Sequence, residues 1–305
     1  MSARIEIVHV DAEGLAPYVE GLRALERDIT YPIGESDRFR IDHGSQYHPF
    51  FSGLGEAHFL VATKGSRVVG GICTLLKTAT FGATSVVSAY ACDFKIDPEL
   101  RGGRLARKIL WFGLIEILKP ANAKYRTWRY LYGAAMRGAK GDMTRSARGL
   151  TPLRLTRPSA ELAVFFTPVR ALSELEVTGA PRAPEAWLDL SPTPRVDSCG
   201  AWSTRGEKDL RLLSTGAPWP LVHLPLGPRA WIPTHAEYLA TASRALAAAG
   251  AEGPVCFALD RRLTKHLDWL AARGISADAT CTIHAIRRSP VPRNGSFIHL
   301  ATSEI

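Results

Sequence analysis

A short turn carries two adjacent glycines and three arginines at the point where a strand pattern gives way to a helix pattern. The apolar run that ends at Ile96 predicts a strand, and residues 103–118 predict a helix. The first turn of a helix has unpaired N–H groups and the positive end of the helix dipole, which favour a phosphate. Glycine lets the backbone approach such a group closely, and arginine adds charge. The turn therefore indicates a site for a phosphorylated carrier, with an ordinary basic strand-to-helix turn as the alternative.

This turn resembles the acyl-donor loop of the GNAT superfamily of N-acyltransferases, whose pattern is Arg/Gln-x-x-Gly-x-Gly/Ala. Arg101 fills the first position and Ala106 the last, while Arg104 stands at the central glycine position. The resemblance covers roughly residues 1–165 and implies an α/β fold with a mixed, mainly antiparallel sheet flanked by helices. It implies that the backbone of this loop holds the phosphates of acetyl-CoA or a longer acyl-CoA. The residues implied in that role are Arg101, Gly102, Gly103, Arg104, Leu105 and Ala106.

In GNAT enzymes the strand before this loop pairs through its backbone with the amide-rich pantetheine arm of the donor. By the same resemblance, Phe94, Lys95 and Ile96 present those backbone groups here. The physical basis is strand addition, in which the arm replaces a neighbouring strand where two strands diverge. Ordinary sheet residues at these three positions are the alternative.

The reaction implied is attack of an amine on a thioester, which needs a base to remove a proton from the amine. Asp93 is the leading candidate, because a carboxylate next to the apolar residues 90–92 is costly without a partner or a task. A carboxylate paired with a nearby lysine or arginine explains the same residue. Glu56 and His58, at the edge of the first predicted hairpin, are the other candidate bases.

Many GNAT enzymes use a tyrosine, in the helix after the fifth strand, as the acid that protonates the leaving thiol. The corresponding segment here, residues 144–148, contains no tyrosine. Tyr132 or Ser146 is the candidate substitute, and departure of an unprotonated thiolate is the remaining alternative.

Basic residues are spread along the chain and give it a formal net charge of +9. A basic protein binds nucleic acid, an anionic cofactor or an acidic protein, or has a solvated basic surface. No basic tail, zinc finger or RNA-binding signature accompanies the charge, so we do not expect nucleic acid as a partner. An acidic acyl carrier protein, which offers its acyl group on phosphopantetheine, remains an alternative donor.

The cysteines are odd in number and scattered, without the spacing of metal ligands. They are Cys73, Cys92, Cys199, Cys256 and Cys281. This usage is typical of free thiols in a cytoplasmic protein, and we expect no metal. No window approaches the ~20 apolar residues of a membrane span, so we expect none.

Prolines between residues 158 and 194 divide the sequence into two halves. We predict a catalytic GNAT-like domain at 1–167, a linker or crossover at 168–195, and a second domain at 196–305. The second half repeats the order of elements in the first, which predicts two tandem GNAT-like modules. Its turn at 227–234 lacks the donor-loop pattern, so we expect this module to be degenerate.

Local patterns predict further elements in both halves. A helix is expected at 12–29 and an irregular aromatic segment at 30–55. The aromatic part of that segment, residues 31–51, is a candidate for holding a longer acyl chain or a peptide. A short helix is expected at 142–148, and a hairpin between 200 and 213.

The function these observations favour is N-acyl transfer from an acyl-CoA to an amine of a small molecule or peptide. Transfer from an acyl carrier protein is the first alternative. A catalytically silent acyl-CoA-binding protein and an aminoacyl-tRNA-dependent transferase are the others.

Overall fold

The computed structural model describes residues 4–33, 37–102, 104–138, 141–142, 155–184, 186–198, 200–203, 206–228, 234–288 and 296–305. The helices are α1 (Val19–Arg27), α2 (Pro49–Ser52), α3 (Leu105–Leu118), α4 (Val169–Ser173), α5 (His235–Ala248) and α6 (Thr264–Ala271). The strands of the first half are β1 (Ile5–Asp11), β2 (Tyr31–Ile33), β3 (Asp37–Asp42), β4 (Glu56–Lys64), β5 (Arg67–Phe81), β6 (Thr84–Ile96), β7 (Tyr130–Gly138), β8 (Gly141–Asp142) and β9 (Arg157–Thr167). Those that follow are β10 (Trp187–Asp189), β11 (Trp202–Ser203), β12 (Asp209–Leu212), β13 (Val222–His223), β14 (Val255–Asp260), β15 (Ala279–Arg287) and β16 (Phe297–His299).

One large sheet organises the molecule, with the strand order β1-β4-β5-β6-β7-β15-β9-β14-β13-β11. Strands β8, β10 and β16 pair with it off this path, and β2, β3 and β12 form a smaller sheet. Neighbouring strands are mostly antiparallel, but β6 and β7 run parallel, as do β13 and β14 and, off the main path, β10 and β16. The predicted mixed, mainly antiparallel α/β fold is confirmed.

The two halves repeat the same arrangement, and the last long strand of each half pairs with a strand of the other half. In the first half α3 joins the parallel strands β6 and β7, and in the second half α5 joins the parallel strands β13 and β14. Strand β15 then pairs with β7, while β9 pairs with β14, and β9 and β15 pair with each other. The sheet is therefore continuous across residue 167. The predicted division of the sequence into 1–167, 168–195 and 196–305 remains a prediction.

Helices α1 and α3 lie on opposite faces of the sheet. Leu22 of α1 packs with Val68 in the main core, whereas Leu105 and Ile109 of α3 pack with Val69 in a separate cluster. Since successive side chains of a strand point to opposite faces, Val68 and Val69 place the two helices on either side. One face of the sheet is therefore covered by α1 and the opposite face by α3.

Long-range pairing corrects several local predictions. The expected hairpin between residues 200 and 213 is wrong, because β11 pairs with β13 and β12 pairs with β3. Residues 30–55 are not irregular throughout but contain β2, β3 and α2. In the expected linker, β10 joins β5 and β16. The expected helix at 142–148 lies, apart from Asp142, outside the described residues.

Helix α1 is shorter than the predicted 12–29. The chain forms a 3₁₀ turn over Glu13–Tyr18 before α1 starts, and Pro17, which has no N–H, lies within that turn. Four of the five cysteines are described, and all four are free thiols, as predicted. In the described part of the chain, no helix is long and apolar enough to cross a membrane.

Candidate functional site

Strands β6 and β7 pair only over a short stretch and then separate. Their parallel ladder runs from Ser88 opposite Tyr130 to Ala91 opposite Gly133 and ends there. Beyond it, β7 continues beside β15, while β6 stays paired with β5 through residues 70–71. Within the described residues, no strand pairs with the β7-facing edge of β6 after Ala91. This leaves an edge of β6 without a strand partner after Ala91.

The open edge contains the three residues predicted to meet the pantetheine arm. Phe94, Lys95 and Ile96 all follow the last rung of the β6–β7 ladder. The carbonyl of Ile96 accepts a hydrogen bond from Nε of Arg101 at 3.2 Å, which ties the turn back to the strand. The strand edge and the glycine-arginine turn therefore form one continuous surface.

The turn itself leaves the start of α3 uncapped. Asp97 caps a 3₁₀ turn by accepting a hydrogen bond from the Glu99 N–H at 3.0 Å, and Gly102 has a φ of +74°. The first helical bond runs from the Lys108 N–H to the Arg104 carbonyl at 2.9 Å. The N–H groups of residues 104–107 thus lie before the helical ladder, and the side chain of the N-cap residue, Arg104, does not cap them. Gly103 lies outside the described residues.

The corresponding helix of the second half starts differently. Thr234 accepts a hydrogen bond from the Glu237 N–H at 3.2 Å, and its hydroxyl donates to Glu237 Oε2 at 2.8 Å. The side chains of Thr234 and Glu237 therefore close the start of α5, which also has an acidic group in its first turn. Both features disfavour an anion at this helix, in agreement with the missing donor-loop pattern.

Asp93 lies in a β-bulge of β6. The register changes between Gly71 and Cys73, where three steps on β6 match two on β5. Asp93 has a φ of +54°, a conformation that aspartate tolerates better than most residues. Bulges redirect a side chain, and here the Asp93 side chain turns inward and is only 8% exposed.

Asp93 belongs to a buried polar cluster with Glu26, His43, Tyr47 and Lys95. Lys95 Nζ donates to Glu26 Oε1 at 2.9 Å, to Tyr47 Oη at 2.7 Å and to Asp93 Oδ1. The other oxygen of Asp93 accepts a hydrogen bond from the Tyr47 hydroxyl. His43 bonds Glu26 through its backbone N–H at 3.0 Å and its ring Nδ1 at 2.5 Å. The alternative prediction, that Asp93 pairs with a neighbouring lysine, describes this geometry.

Charge compensation dominates the electrostatics of the cluster. Burial alone would raise the pKa of Glu26, but the charge of Lys95 and the hydrogen bonds from His43 lower it to about 2. Burial alone would lower the pKa of Lys95, yet Asp93 and Glu26 raise it above its ordinary value. Burial and the charge of Asp93 together raise the pKa of Tyr47 well above 10. Lys95 is therefore a permanent cation at neutral pH.

Comparisons with known proteins identify the fold. No protein-family model matches the sequence, and no curated protein matches it. A solved tandem GNAT protein from the clavulanic acid biosynthesis pathway is 14% identical, with a TM-score of 0.50 over 95% of this chain and 100% of that one. A Saccharomyces cerevisiae N-myristoyltransferase with bound myristoyl-CoA is 11% identical, with a TM-score of 0.55 over 97% of this chain and 83% of that one. The chain has a GNAT-like fold. A second structure of the same yeast enzyme agrees, at 13% identity, a TM-score of 0.52, and coverage of 96% of this chain and 86% of that one.

Within this GNAT-like fold, β6 and β7 are the parallel pair of the first half, and β13 and β14 are the parallel pair of the second. The predicted tandem arrangement is supported by the tandem GNAT structure as well as by the strand order. The roles of individual residues remain predictions, because identities of 11–14% establish the fold alone.

Glu26, His43 and Asp93 place ligand atoms within 4.8 Å of one another, close enough to hold a metal ion. The Lys95 ammonium, however, donates to both carboxylates of this group. A metal bound there would have to displace a buried cation from its two counter-ions. The set is therefore an ion-pair cluster with its cation supplied by the protein.

Tyr132 lies on the next-to-last rung of the β6–β7 ladder, opposite Tyr90. The two rings stack with centroids 4.6 Å apart, and Tyr132 is 1% exposed. Tyr90 donates its hydroxyl hydrogen to the Glu304 carbonyl at 2.7 Å, whereas the Tyr132 hydroxyl has no hydrogen-bond partner among the described residues. Burial raises the pKa of Tyr132 well above 10, so its hydroxyl is protonated at neutral pH.

Glu56 lies at the start of β4, two strands from β6, where it is half exposed. Its carboxylate pairs with Lys124 and with His58 Nε2 at 2.9 Å, and His58 Nδ1 bonds the Tyr125 hydroxyl at 3.1 Å. Glu56 and His58 thus form a surface network separate from the Asp93 cluster. The arrangement does not bring them to the open edge of β6.

The aromatic residues predicted to hold an acyl chain or a peptide lie in the core of the protein. Phe39, Tyr47, Phe50 and Phe51 are buried in the main core. Their side chains position β3 and α2 against the sheet. These four side chains are therefore part of the core and are not free to hold an acyl chain or a peptide.

Sequence reasoning missed Glu26 as a member of the site. Leu22, Leu25 and Ile29 mark the apolar face of the α1 region, and Glu26 follows Leu22 by four residues, on the same face. An acidic residue on the buried face of an amphipathic helix is the signal that indicates a partner inside the protein.

Proposed function

We propose that this protein is an N-acyltransferase that transfers an acyl group from an acyl-CoA to an amine of a small molecule or peptide. The observation that carries the proposal is the open edge of β6 beside the uncapped start of α3. A donor with an amide-rich arm and a pyrophosphate needs these two features next to each other. The bound myristoyl-CoA of the yeast N-myristoyltransferase, a protein of similar fold, supports the same class of donor.

The residues of the donor site then have distinct roles. The backbone of Phe94, Lys95 and Ile96 pairs with the pantetheine amides. The free N–H groups at the start of α3, together with the exposed side chains of Arg101 and Arg104, bind the pyrophosphate. Gly102 supplies the turn at positive φ. Leu105 is buried and anchors the first turn of α3, while Ala106 adds one of its free N–H groups.

The chemistry places the amine near Asp93. The amine nitrogen attacks the thioester carbonyl carbon, a C–N bond forms, and the C–S bond breaks with its electron pair leaving on sulfur. The proton lost by the amine goes to Asp93, whose oxygens each retain a lone pair beside the bonds from Lys95 and Tyr47. We assign Tyr132 as the donor of the proton that the thiolate takes up, since its hydroxyl is protonated and without a partner in the described structure. No step is assigned to Glu56.

Titration calorimetry with acetyl-CoA and with myristoyl-CoA tests the donor site. We expect saturable binding to the wild-type protein, and weaker binding to Arg101→Ala/Arg104→Ala by on the order of 1–3 kcal/mol from lost charge-assisted bonds. Arg170→Ala is the matched control, because Arg170 is an exposed arginine of α4 that pairs with Glu174. Equal affinity of the double variant and the wild type would remove the loop assignment. Release of free thiol on adding amines, followed with a thiol reagent, then tests the transferase activity.

A specific feature of α3 favours an acyl carrier protein as a second candidate donor. Arg104, Arg107 and Lys108 share one exposed face of the helix with three large apolar side chains. These are Trp111, Ile115 and Leu118, at 40%, 55% and 60% exposure. This face, with its basic end and apolar stripe, complements an acidic amphipathic helix. The face begins at the start of α3, where the phosphate would bind.

Kinetics with matched donors separate the two candidates. The same acyl group is presented on CoA and on an acyl carrier protein, and kcat/KM is compared for the wild type and Trp111→Ser/Ile115→Ser. A carrier-protein donor predicts a loss with the protein-bound acyl group only. Equal effects on both donors, or no use of the carrier protein, would leave acyl-CoA as the donor.

A further inference from the structure

A cavity of about 190 Å³ lies between α1, β3 and β12, on the α1 face of the sheet. One water needs roughly 10–15 Å³ of such space, so this cavity has room for a small anionic group and its connecting atoms. The residues that line it are Arg23, Glu26, Arg27, Arg40, Ile41, Asp42 and Arg211.

The positive charges around this cavity are poorly compensated. Arg40 and Arg211 lie directly opposite each other in the β3–β12 register, an arrangement that destabilises a strand pair. Arg27 extends from α1 toward the same space. The side chains of Arg27, Arg40 and Arg211 are exposed. Within the described part of the chain, none of them forms an ion pair with a carboxylate.

A fourth arginine has a buried donor that is not used. Arg23 Nη1 donates to Glu20 at 3.1 Å, but its Nε is buried and has no hydrogen-bond partner among the described residues. A buried N–H without an acceptor costs free energy unless a ligand supplies one.

The acidic residues of the cavity do not balance these arginines. Glu26 is occupied on its inner side by Lys95 and His43. Asp42 accepts the Gly44 N–H at 2.9 Å and forms no ion pair in the described structure. The cavity therefore has an excess of arginine, the side chain best suited to carboxylate and phosphate.

We propose that this cavity binds a carboxylate or phosphate group of the acyl acceptor, an inference that rests on the proposed N-acyltransferase function. Glu26 connects the cavity to the chemistry, because it lines the cavity and also bonds Lys95, which in turn bonds Asp93. An amine with an anionic group at its far end would be held by the arginines on one side of Glu26. The anionic group would then lie next to Glu26, whose carboxylate oxygen is within 4.8 Å of an oxygen of Asp93.

Anion binding is tested first and needs no turnover. Thermal unfolding is followed while inorganic phosphate or succinate is added at constant ionic strength, with KCl as the reference. We expect a saturable rise in Tm for the wild type. In Arg40→Gln/Arg211→Gln this rise should be lost, while the Tm without anion equals or exceeds that of the wild type, because a like-charge pair has been removed.

Two further variants make this test specific. Arg27→Gln, on the exposed side of α1, should also reduce the rise in Tm. Arg244→Gln should keep it, since Arg244 is an exposed arginine of α5 that bonds Thr241. A wild type without a saturable response, or a double variant that keeps it, would overturn the anion site.

Acceptor kinetics test the assignment of the site to the substrate. β-Alanine and O-phosphoethanolamine are compared with β-alaninamide and ethanolamine, which separates a carboxylate from a phosphate preference. We expect kcat/KM to favour an anionic amine over its neutral partner, and this ratio to fall roughly tenfold or more in Arg40→Gln/Arg211→Gln. A ratio unchanged by the double variant would overturn the acceptor assignment. Anion binding without transfer to any amine would instead count against the proposed function and leave the anion site supported.

Discussion

The ammonium group of Lys95 lies 2.9 Å from Oε1 of Glu26, and both side chains are almost fully buried. This contact joins α1 to β6 on the face opposite α3, and it fixes the side chain that also holds Asp93. Since the ion pair is removed from water, its two partners depend on each other. The position of Asp93 in β6 therefore depends on Glu26 of α1, which acts through Lys95.

A double-mutant cycle measures this dependence. Lys95→Met leaves two buried carboxylates without their cation, and we expect it to lower the free energy of unfolding by about 3–5 kcal/mol. Glu26→Gln alone should also destabilise, and the double variant should lose clearly less than the sum of the two. Urea unfolding at pH 7 provides the values. Strictly additive losses would show that the two residues are not coupled.

The pH dependence of stability should report Glu26. Its folded-state pKa of about 2 lies below the ordinary 4.5, so the unfolded chain takes up this proton first as the pH falls. The contribution of Glu26 is complete above about pH 4.5 and is lost as the pH falls toward 2. The stability difference between the wild type and Glu26→Gln should shrink over this window in urea unfolding. A difference that stays constant from pH 6 to pH 3 would contradict the assignment.

Local patterns predict the glycine-arginine turn and its flanking elements because each is determined by neighbouring residues. The strand that ends at Ile96, the glycine-arginine turn and α3 all follow from spacing within about 30 residues. The polar cluster does not follow in this way, since Lys95 and Glu26 are 69 positions apart. Pairing of β12 with β3, which places Arg211 opposite Arg40, joins the two halves of the chain. Periodicity contains no information about such partners, so the arginine cavity could not be predicted.

Tyr132→Phe tests the proposed acid. The Tyr132 hydroxyl has no partner in the described structure, so its removal should leave the free energy of unfolding unchanged or slightly higher. If the hydroxyl protonates the leaving thiolate, kcat should fall about 10²-fold or more, with little change in the Kd of acyl-CoA. Tyr90→Phe is the matched control, because that hydroxyl is bonded and its loss should cost about 1 kcal/mol of stability. Full turnover in Tyr132→Phe would assign the residue to packing alone.

Thr234→Ala tests whether the second module has lost its donor site. Removing the cap of α5 should lower the free energy of unfolding by about 1 kcal/mol. The affinity for acyl-CoA should not change, because we assign the phosphates to α3 and not to α5. Thermal unfolding and calorimetry on the same sample give both values. A change in acyl-CoA affinity would show that the α5 turn takes part in donor binding.

Asp93→Asn separates the charge of Asp93 from its unusual backbone. Asparagine tolerates positive φ as aspartate does, so the bulge should persist, while the group that accepts the amine proton is lost. We expect kcat to fall by about 10²–10⁴-fold, and the Kd of acyl-CoA to stay close to the wild-type value. Asp93→Ala should behave similarly in kcat but should also lose about 1–3 kcal/mol of stability, because alanine is strained at this φ.

Glu26→Gln is the control, since it removes the other carboxylate that bonds Lys95 and should lower kcat much less. Equal losses of kcat in Asp93→Asn and Glu26→Gln would mean that Asp93 acts only as a partner of Lys95.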